Sequence, residues 1–508
     1  MRSKLAINNI LTTLILQVIT LICGFIIPKL IISFYGSNVN GLVTSITKFL
    51  AYISLLELGF GPVVKSVLYK PIAYKNKDEI EKILKASEKF FKNIAYIFIA
   101  YILILCFAMP MIVSDEFSLS FTIPLVIIIA ISTFAEYYFG MTYRLYLQAE
   151  QKTYIISIIQ VSTLVLNTII TVTLVKLGVC IHIVKLVTAI IFIFRPILQN
   201  LYVKKKYSIN LKHVDNDYKI KQKWDGMAQH IAYVIHSNTD IIILTLCSSM
   251  TEVSVYYVYL IIVTSIKNII QSLTNGIDAT FGNMVAKGEI DKLNKALKLY
   301  EVIYFTIITI IFSGVLFLIT PFVGVYTKGI MDVNYFRPVF GYLIVISEFI
   351  WAIREPYNTI IKVAGHFKET KIGAWVEAII NISISILLVW KYGIVGVAIG
   401  TLVAISIRAV ELVYHTSKYI LKRTLGYIFK YIVIMLLEVL IITLFVRLLP
   451  KVDIQNYVEW IIQAIKITVI STITVLLVNI ICYKQNIKEI IKFTKNRLKG
   501  ARANWLLI

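Results

Sequence analysis

The chain has 508 residues, of which 58% are hydrophobic and 16% are charged, and its mean hydropathy is +0.81. Soluble domains carry roughly 25% charged residues, so this composition excludes a protein whose whole surface faces water. The formal net charge of +23 could suggest nucleic acid. However, the Lys and Arg residues lie in short gaps between apolar blocks, a placement typical of membrane proteins, and we expect no nucleic-acid partner.

Long apolar segments follow one another along the whole chain. A transmembrane helix needs roughly 20 apolar residues, and helices satisfy their own backbone hydrogen bonds in lipid. No segment shows the ten-residue alternation of a membrane β-barrel. We therefore predict an all-α polytopic membrane protein with about 14 transmembrane helices, centred near residues 20, 53, 100, 130, 165, 190, 240, 267, 308, 347, 382, 403, 438 and 470.

The positive residues predict the orientation of these helices. When both termini are placed in the cytoplasm, the tails and alternate gaps hold 38 of the 51 Lys and Arg residues, and the opposite gaps hold six. An excess of positive charge is typical of cytoplasmic loops. We predict a multi-pass protein of the cell membrane, with the lipid bilayer as a partner and with both termini cytoplasmic.

Two pairs of similar segments indicate an internal repeat. Lys77–Ala86 resembles Lys287–Ala296, and Lys176–Val179 resembles Lys391–Ile394, each time six predicted helices apart. This spacing predicts two lobes of six helices with the same topology, plus two C-terminal helices, and a cargo path between the lobes. The predicted domains are an N-terminal lobe at 1–203, a basic cytoplasmic linker at 204–225, a C-terminal lobe at 226–417, helices thirteen and fourteen at 418–483, and a basic cytoplasmic tail at 484–508.

Sequence signatures of catalysis are missing. The chain contains no GxxxxGK[ST] loop, no HExxH motif and no paired cysteines, and its six histidines are scattered. We therefore expect a protein that is not an enzyme, with no catalytic residue, no metal site and no cofactor.

Charged residues inside the predicted spans are the remaining candidates for function, because charges are unfavourable in lipid and usually face a bundle interior or a water-filled cavity. Lys29, Lys48 and Lys267 are the candidate substrate-binding residues of a cationic cavity. Ammonium groups in such a cavity can form charge-assisted hydrogen bonds with a pyrophosphate or an acidic sugar. Interhelical ion pairs are the alternative interpretation of these lysines.

Acidic residues inside the spans are candidates for ion coupling. We select Asp240, Glu57 and Asp278. Asp240 could instead pair with a lysine, and Glu57 could belong to a packing or hinge element. Two further charged residues, Arg195 and Arg408, lie near predicted cytoplasmic ends, and we expect their long side chains to reach the membrane interface.

Four segments resemble the polysaccharide flippase family of the multidrug/oligosaccharidyl-lipid/polysaccharide exporter superfamily. They are Pro28–Gly41, Glu57–Gly61, Asn238–Leu244 and Tyr392–Thr401. The resemblance implies a MATE-like flippase that moves undecaprenyl-diphosphate-linked oligosaccharide from the cytoplasmic to the outer leaflet by alternating access. The product would serve surface polysaccharide assembly, with a polysaccharide polymerase as a candidate partner. The resemblance also implies a cationic interior, which the three selected lysines fit.

Two other functions stay open. An ion-coupled drug or small-cation antiporter of the same superfamily would have twelve spans and an acid-lined cavity, so the two extra helices and the basic residues disfavour it. A membrane glycosyltransferase or polysaccharide polymerase would need a large outer loop that carries catalytic groups, and no predicted gap is long enough for one.

Overall fold

The fold is described from a computed structural model. It describes residues 2–57, 59–211, 214, 218, 227–275, 277–450 and 452–489, so parts of the predicted linker (204–225) and of the predicted tail (484–508) lie outside the described residues. All regular secondary structure of the described residues is helical. The predicted all-α fold class is confirmed.

The first half of the chain contains eight described α-helices. A 3₁₀ segment, Tyr52–Glu57, follows α2, and a π-helical turn, Glu136–Gly140, joins α5 to α6. The helices are α1 (Arg2–Tyr35), α2 (Ser37–Ala51), α3 (Phe60–Tyr74), α4 (Lys77–Ile112), α5 (Leu119–Ala135), α6 (Met141–Ala149), α7 (Thr153–Lys176) and α8 (Ile181–Tyr207).

Nine described α-helices follow. A second π-helical turn, Thr416–Ile420, extends α15. The helices are α9 (Met227–Cys247), α10 (Met250–Asn275), α11 (Asp278–Ala286), α12 (Ile290–Tyr326), α13 (Pro338–Ala364), α14 (Lys371–Tyr392), α15 (Ile394–His415), α16 (Gly426–Leu448) and α17 (Tyr457–Cys482).

Twelve helical segments within the described residues are long and apolar enough to cross a membrane. The predicted centres near 240 and 347 fall in α9 and α13, which are not among the twelve. In α9 only the short stretch Ser237–Cys247 is apolar, and α13 carries the charged residues Glu348, Arg354 and Glu355. A multi-pass membrane protein is therefore supported, and the number 14 stays a prediction.

The similar segments Lys77–Ala86 and Lys287–Ala296 lie at the starts of two long helices. The helix α4 has 36 residues and starts at Lys77, and α12 has 37 residues and starts at Ile290. The side chain of Asn76 caps α4 by accepting a hydrogen bond from the backbone N–H of Glu79, as Asn residues at helix N-termini commonly do. The repeated sequence is thus the first turns of a helix in both copies.

Contacts divide the chain into two compact units. Unit 1 comprises Met1–Ile261, Gly329–Asn334 and Asn381–Val397. Within it α1 packs along α7, α5 packs on α8, and α2 packs on α9. This division rests on contacts, whereas the predicted lobes rest on the sequence repeat, and the lobe boundaries stay a prediction.

Unit 2 comprises Ile262–Lys328, Tyr335–Ile380 and Ala398–Ile508. Within it α12 packs on α13, α16 and α17, and α11 packs on α13. A buried cluster near the start of α12 joins α11, α12, α13 and α15 through Phe281, Leu293, Ile360 and Leu412.

Candidate functional site

Small polar residues join α2 to α9 and to the first turns of α10 within unit 1, and we call this contact the α2–α9 seam. The Asn40 amide donates a hydrogen bond to Ser254 Oγ at 2.8 Å, and the Ser45 and Thr245 hydroxyl oxygens are 2.7 Å apart. All four side chains are buried. Hydrogen bonds between small polar residues are a usual way to hold helices together in lipid, where apolar side chains gain little by meeting each other.

A glycine allows the backbones of the α2–α9 seam to approach closely. A Cβ atom on Gly41 would lie 1.8 Å from the carbonyl oxygen of Met250, at the start of α10. Any side chain at this position would therefore push α2 away from α10.

Lys48 lies at the α2–α9 seam. Its Nζ atom donates a hydrogen bond to the Ser237 carbonyl oxygen at 3.2 Å, and it lies within electrostatic reach of Asp240. One turn further along, the Tyr52 and Thr239 hydroxyl oxygens are 3.0 Å apart. Lys48 thus faces polar groups of α9, a position that is compatible with the predicted cationic site.

Asp240 is the most enclosed of the predicted site residues. It is 8% exposed, and its two carboxylate oxygens accept hydrogen bonds from the Tyr256 hydroxyl at 2.6 Å and from the Asn381 amide at 3.3 Å. The donors come from α10 and α14, so three helices of unit 1 meet at this carboxylate. Carboxylate, amide and hydroxyl oxygens are also the groups that bind hard cations.

Lys267 forms an ion pair within unit 2. Its Nζ atom is 3.2 Å from Glu348 Oε2 on α13 and 4.3 Å from the centre of the Trp351 ring. The side chains of Lys267 and Glu348 are 19% and 12% exposed. This contact is the interhelical ion pair that we considered as the alternative, and the predicted role in substrate binding stays a prediction.

The remaining predicted residues occupy helix ends and a helix interior. Lys29 is half-buried in α1, which continues through Pro28 to Tyr35. Glu57 ends the 3₁₀ segment and accepts a 2.6 Å hydrogen bond from the Tyr137 hydroxyl. Asp278 begins α11, and its buried Oδ1 atom accepts no hydrogen bond from the residues that the structure describes.

A buried network of charges in unit 2 was not predicted. Glu377 on α14 accepts a 2.7 Å hydrogen bond from Arg354 on α13, and its second oxygen is 3.6 Å from Arg408 on α15. Arg408 also pairs with Glu411, and a Cβ atom on Gly373 would lie 1.6 Å from the carboxylate of Glu411. Arg408 is 5% exposed, so the prediction that it reaches the interface is wrong, because two carboxylates hold it inside.

A second buried pair lies near the start of α16. Arg423 donates hydrogen bonds to Glu301, which is fully buried, and the Tyr357 hydroxyl donates to the same carboxylate at 2.8 Å. Burial alone would lower the pKa of Arg423, but its hydrogen bonds to Glu301 outweigh burial and raise that pKa above its usual value.

Arg354 and Arg423 fall in predicted cytoplasmic gaps, so nothing in the sequence indicated that they are buried. For Glu377 and Arg408 the signal was a charge inside an apolar segment, which does not identify a partner.

At the level of sequence, neither a protein-family model nor a curated protein matches the chain. Solved structures with 16% identity or less do match it in fold. The lipid II flippase MurJ in an inward closed conformation has a TM-score of 0.65 and 16% identity, and the match covers 95% of this chain and 100% of that chain.

Two MATE transporters are also similar. An inward-facing multidrug resistance MATE family transporter of the MOP superfamily has a TM-score of 0.57 and 13% identity, covering 77% of this chain and 92% of that one. The eukaryotic MATE transporter AtDTX14 has a TM-score of 0.52 and 15% identity, covering 92% and 96%. The chain therefore shares its fold with the MurJ flippase and with these two MATE transporters.

Proposed function

We propose that the protein is a flippase that moves undecaprenyl-diphosphate-linked oligosaccharide from the cytoplasmic to the outer leaflet of the cell membrane by alternating access. The observation that carries this proposal is the fold likeness to the lipid II flippase MurJ over 95% of the chain. Of the three structures compared, MurJ has the highest TM-score and covers the largest share of this chain. A polysaccharide polymerase that uses the delivered oligosaccharide is the proposed partner.

The headgroup of such a cargo carries a negatively charged diphosphate. Lys48 and Lys29 are the residues that we propose for its recognition, together with Lys267 after release from its ion pair with Glu348. Lys48 is the strongest candidate, because its direct contact is a backbone carbonyl, which competes weakly with a phosphate oxygen. When the cargo binds, Lys48 would donate to a charged phosphate oxygen instead of this neutral carbonyl oxygen.

Asp240 is the residue that we propose for ion coupling. A carboxylate that is 8% exposed needs either a proton, a cation or hydrogen-bond donors to remain in the membrane interior. Its donors come from two other helices, so a bound cation or proton would change how α9, α10 and α14 hold together. Glu57 and Asp278 are secondary candidates for the same role.

An ion-coupled drug or small-cation antiporter is the second candidate. The fold likeness to the MATE transporters favours it, as does the enclosed Asp240. An antiporter of cationic drugs would be hindered by lysines in its cavity, because like charges repel in a medium of low dielectric constant. The two candidates therefore predict opposite effects when Lys48 is neutralised.

Reconstituted flipping tests the proposal directly. Full-length protein in liposomes that contain a fluorescent undecaprenyl-diphosphate oligosaccharide should make the inner-leaflet label accessible to an external quencher. A cell that lacks the protein should accumulate this lipid on the inner leaflet. If flipping is absent while the liposomes export a cationic dye, the antiporter is correct and the flippase proposal is wrong.

Lys48→Ala should slow flipping while protein abundance stays unchanged. The variant loses a hydrogen bond to a backbone carbonyl, and the nearby Asp240 keeps its donors Tyr256 and Asn381. Lys466→Ala is the matched control, since Lys466 also lies in a predicted span but is exposed on α17. Equal flipping rates in both variants would contradict a role of Lys48 in cargo binding.

A further inference from the structure

Glu438 is a buried acid for which the proposed function has no role. It lies in α16 and is 1% exposed. Its Oε1 atom accepts no hydrogen bond from any residue that the structure describes. Buried charges in proteins are almost always paired, so this carboxyl group needs another explanation.

The depth of Glu438 makes an ionised state still less favourable. At a rise of about 1.5 Å per residue, Glu438 is about 18 Å from Gly426 and about 15 Å from Leu448, the two ends of α16. A bilayer has a hydrocarbon core about 30 Å thick, so this residue lies near its centre.

Two contacts fix how α16 and α17 align near the ends that the predicted orientation places in the cytoplasm. Lys430 Nζ donates to the Cys482 carbonyl oxygen at 3.3 Å, and the rings of Tyr431 and Tyr483 are 5.1 Å apart. Counting the same number of residues from Lys430 along α16 and from Cys482 back along α17 brings Glu438 level with Thr474, which is buried.

The helix α12 completes this core. The Asn479 amide donates to Thr306 Oγ1 at 3.0 Å, and the rings of Phe305 and Tyr431 are 5.1 Å apart. This register places residues 311–312 at about the depth of Glu438. The hydroxyls of the nearby Thr309 and Ser313 both donate to carbonyls of their own helix. The polar groups at this depth are therefore hydroxyls, which carry no charge.

Charged residues of the three helices contact groups other than Glu438 or face outward. Lys298 donates to the Tyr427 hydroxyl and Glu301 pairs with Arg423, both near the start of α16. Lys430 donates to the Cys482 carbonyl, and Lys466 is exposed on the outside of α17. Tyr431 and Tyr483 pack against each other, Tyr431 about two turns from Glu438 along α16. Glu438 lies within electrostatic reach of the Tyr483 hydroxyl, which is uncharged at neutral pH. No cation among the described residues forms an ion pair with Glu438.

We propose that Glu438 is a proton-binding site in the core of α12, α16 and α17, and that it is neutral while these helices are packed as described. Loss of the proton to water would leave an unpaired carboxylate at the centre of the bilayer. Deprotonation is therefore coupled to separation of α16 from α12 and α17, or to entry of water between them. This site is separate from Asp240 and is independent of the identity of the cargo.

Chemical labelling tests the protonation state of Glu438. Dicyclohexylcarbodiimide, an apolar reagent, adds to a protonated carboxyl group and rearranges to an N-acylurea without a leaving group. In liposomes at neutral pH, peptide mass spectrometry should find at least about tenfold more adduct at Glu438 than at Glu459. The Glu459 carboxylate lies in the first turn of α17 and accepts hydrogen bonds from the Gln455 backbone N–H and the Asn456 amide. The adduct at Glu438 should decrease as the pH rises. Equal labelling of the two residues, or none at Glu438, would overturn the proposal.

Thermal unfolding provides a second measurement. If the folded protein holds this proton and the unfolded chain releases it, stability falls as pH rises. Glu438→Gln replaces a neutral acid by a neutral group of the same shape, so the variant should unfold at nearly the wild-type temperature at neutral pH. As the pH rises, the unfolding temperature of the variant should also fall less than that of the wild type. A large loss of stability at neutral pH, or an unchanged pH profile, would show that Glu438 is held as a carboxylate.

Discussion

The α2–α9 seam and the charged network of α13, α14 and α15 both join helices through buried polar side chains. They differ in whether those side chains carry a charge. The seam uses neutral hydroxyl and amide groups and a glycine, as in the 2.7 Å contact of Ser45 with Thr245. The network uses carboxylates and guanidinium groups, as in the 2.7 Å hydrogen bond from Arg354 to Glu377. Neutral groups can exchange their partners for water at small cost, whereas a buried ion cannot lose its partner without a large penalty.

For the proposed transport cycle, this difference predicts which contacts open. We expect the α2–α9 seam to separate and reform, and the network around Glu377 to persist through the cycle. Four sets of substitutions test this contrast, in order of decreasing effect on stability.

Neutralising the centre of the network should have the largest effect. Glu377→Gln leaves Arg354 and Arg408 without their shared carboxylate, and both are less than a tenth exposed. Removal of one partner from a buried ion pair typically costs about 3–5 kcal/mol, which thermal unfolding in detergent would register as a large fall in midpoint. Glu289→Gln is the control, because Glu289 pairs with Lys292 on the surface, and it should leave the midpoint unchanged. Similar losses in both variants would contradict a special role of the network.

The glycine at the α2–α9 seam should be the next most sensitive position. Gly41→Ala places a Cβ atom 1.8 Å from the Met250 carbonyl oxygen, so the backbones must separate. Overpacking of this kind costs about 1–3 kcal/mol, and we expect a lower unfolding midpoint together with slower flipping. Gly24→Ala is the matched control, since nothing lies within 4 Å of its Cβ position. The seam would not be closely packed if the two variants had the same midpoint.

The ion pair of Lys267 with Glu348 should show energetic coupling of intermediate size. A double-mutant cycle of Lys267→Ala and Glu348→Gln should give an interaction energy of about 0.5–3 kcal/mol, measured by thermal unfolding. Each single variant leaves an uncompensated charge, so the double variant should be more stable than the sum of the single losses predicts. An additive result would mean that the 3.2 Å contact contributes nothing to stability.

A single hydroxyl of the α2–α9 seam should have the smallest effect. Ser45→Ala removes the hydrogen bond with Thr245, and such bonds in membrane proteins average about 0.6 kcal/mol. The expected result is a small fall in the unfolding midpoint. Ser406→Ala is the control, because the Ser406 hydroxyl donates only to the Leu402 carbonyl of its own helix. A loss as large as that of Glu377→Gln would contradict the contrast between neutral and charged contacts.

Much of the fold could be predicted because apolar length and the placement of positive charge are local properties of the chain. The apolar segment near residue 20 is α1, and the segment near 308 is the long α12. The two segments that fell short of a clear span are α9, which is apolar only over Ser237–Cys247, and α13, which carries Glu348, Arg354 and Glu355. Hydropathy alone does not show whether these two helices cross the membrane, because polar residues that pack inside the protein lower the mean hydropathy of a segment.

The candidate site could be predicted only in part. Sequence analysis found Lys48 and Asp240 as charges inside apolar segments, but it could not say that Tyr256 and Asn381 donate to that carboxylate. Lys267 was expected to bind substrate or to form an ion pair, and the structure provides the partner, Glu348. The prediction that Arg408 reaches the membrane interface is wrong, because its position near a helix end does not show that carboxylates lie close to it in the interior.

The amino-acid sequence alone shows that the chain is a helical membrane protein, since lipid requires apolar side chains and internally satisfied backbones over the length of each span. It also identifies some buried charges, such as Asp240, but not others, such as Arg354 and Glu301. The partner of each charge is known from the tertiary structure alone, because partners such as Asp240 and Asn381 come from helices that are distant along the chain. The stability of a buried charge depends on that partner, and its position in the sequence does not specify one.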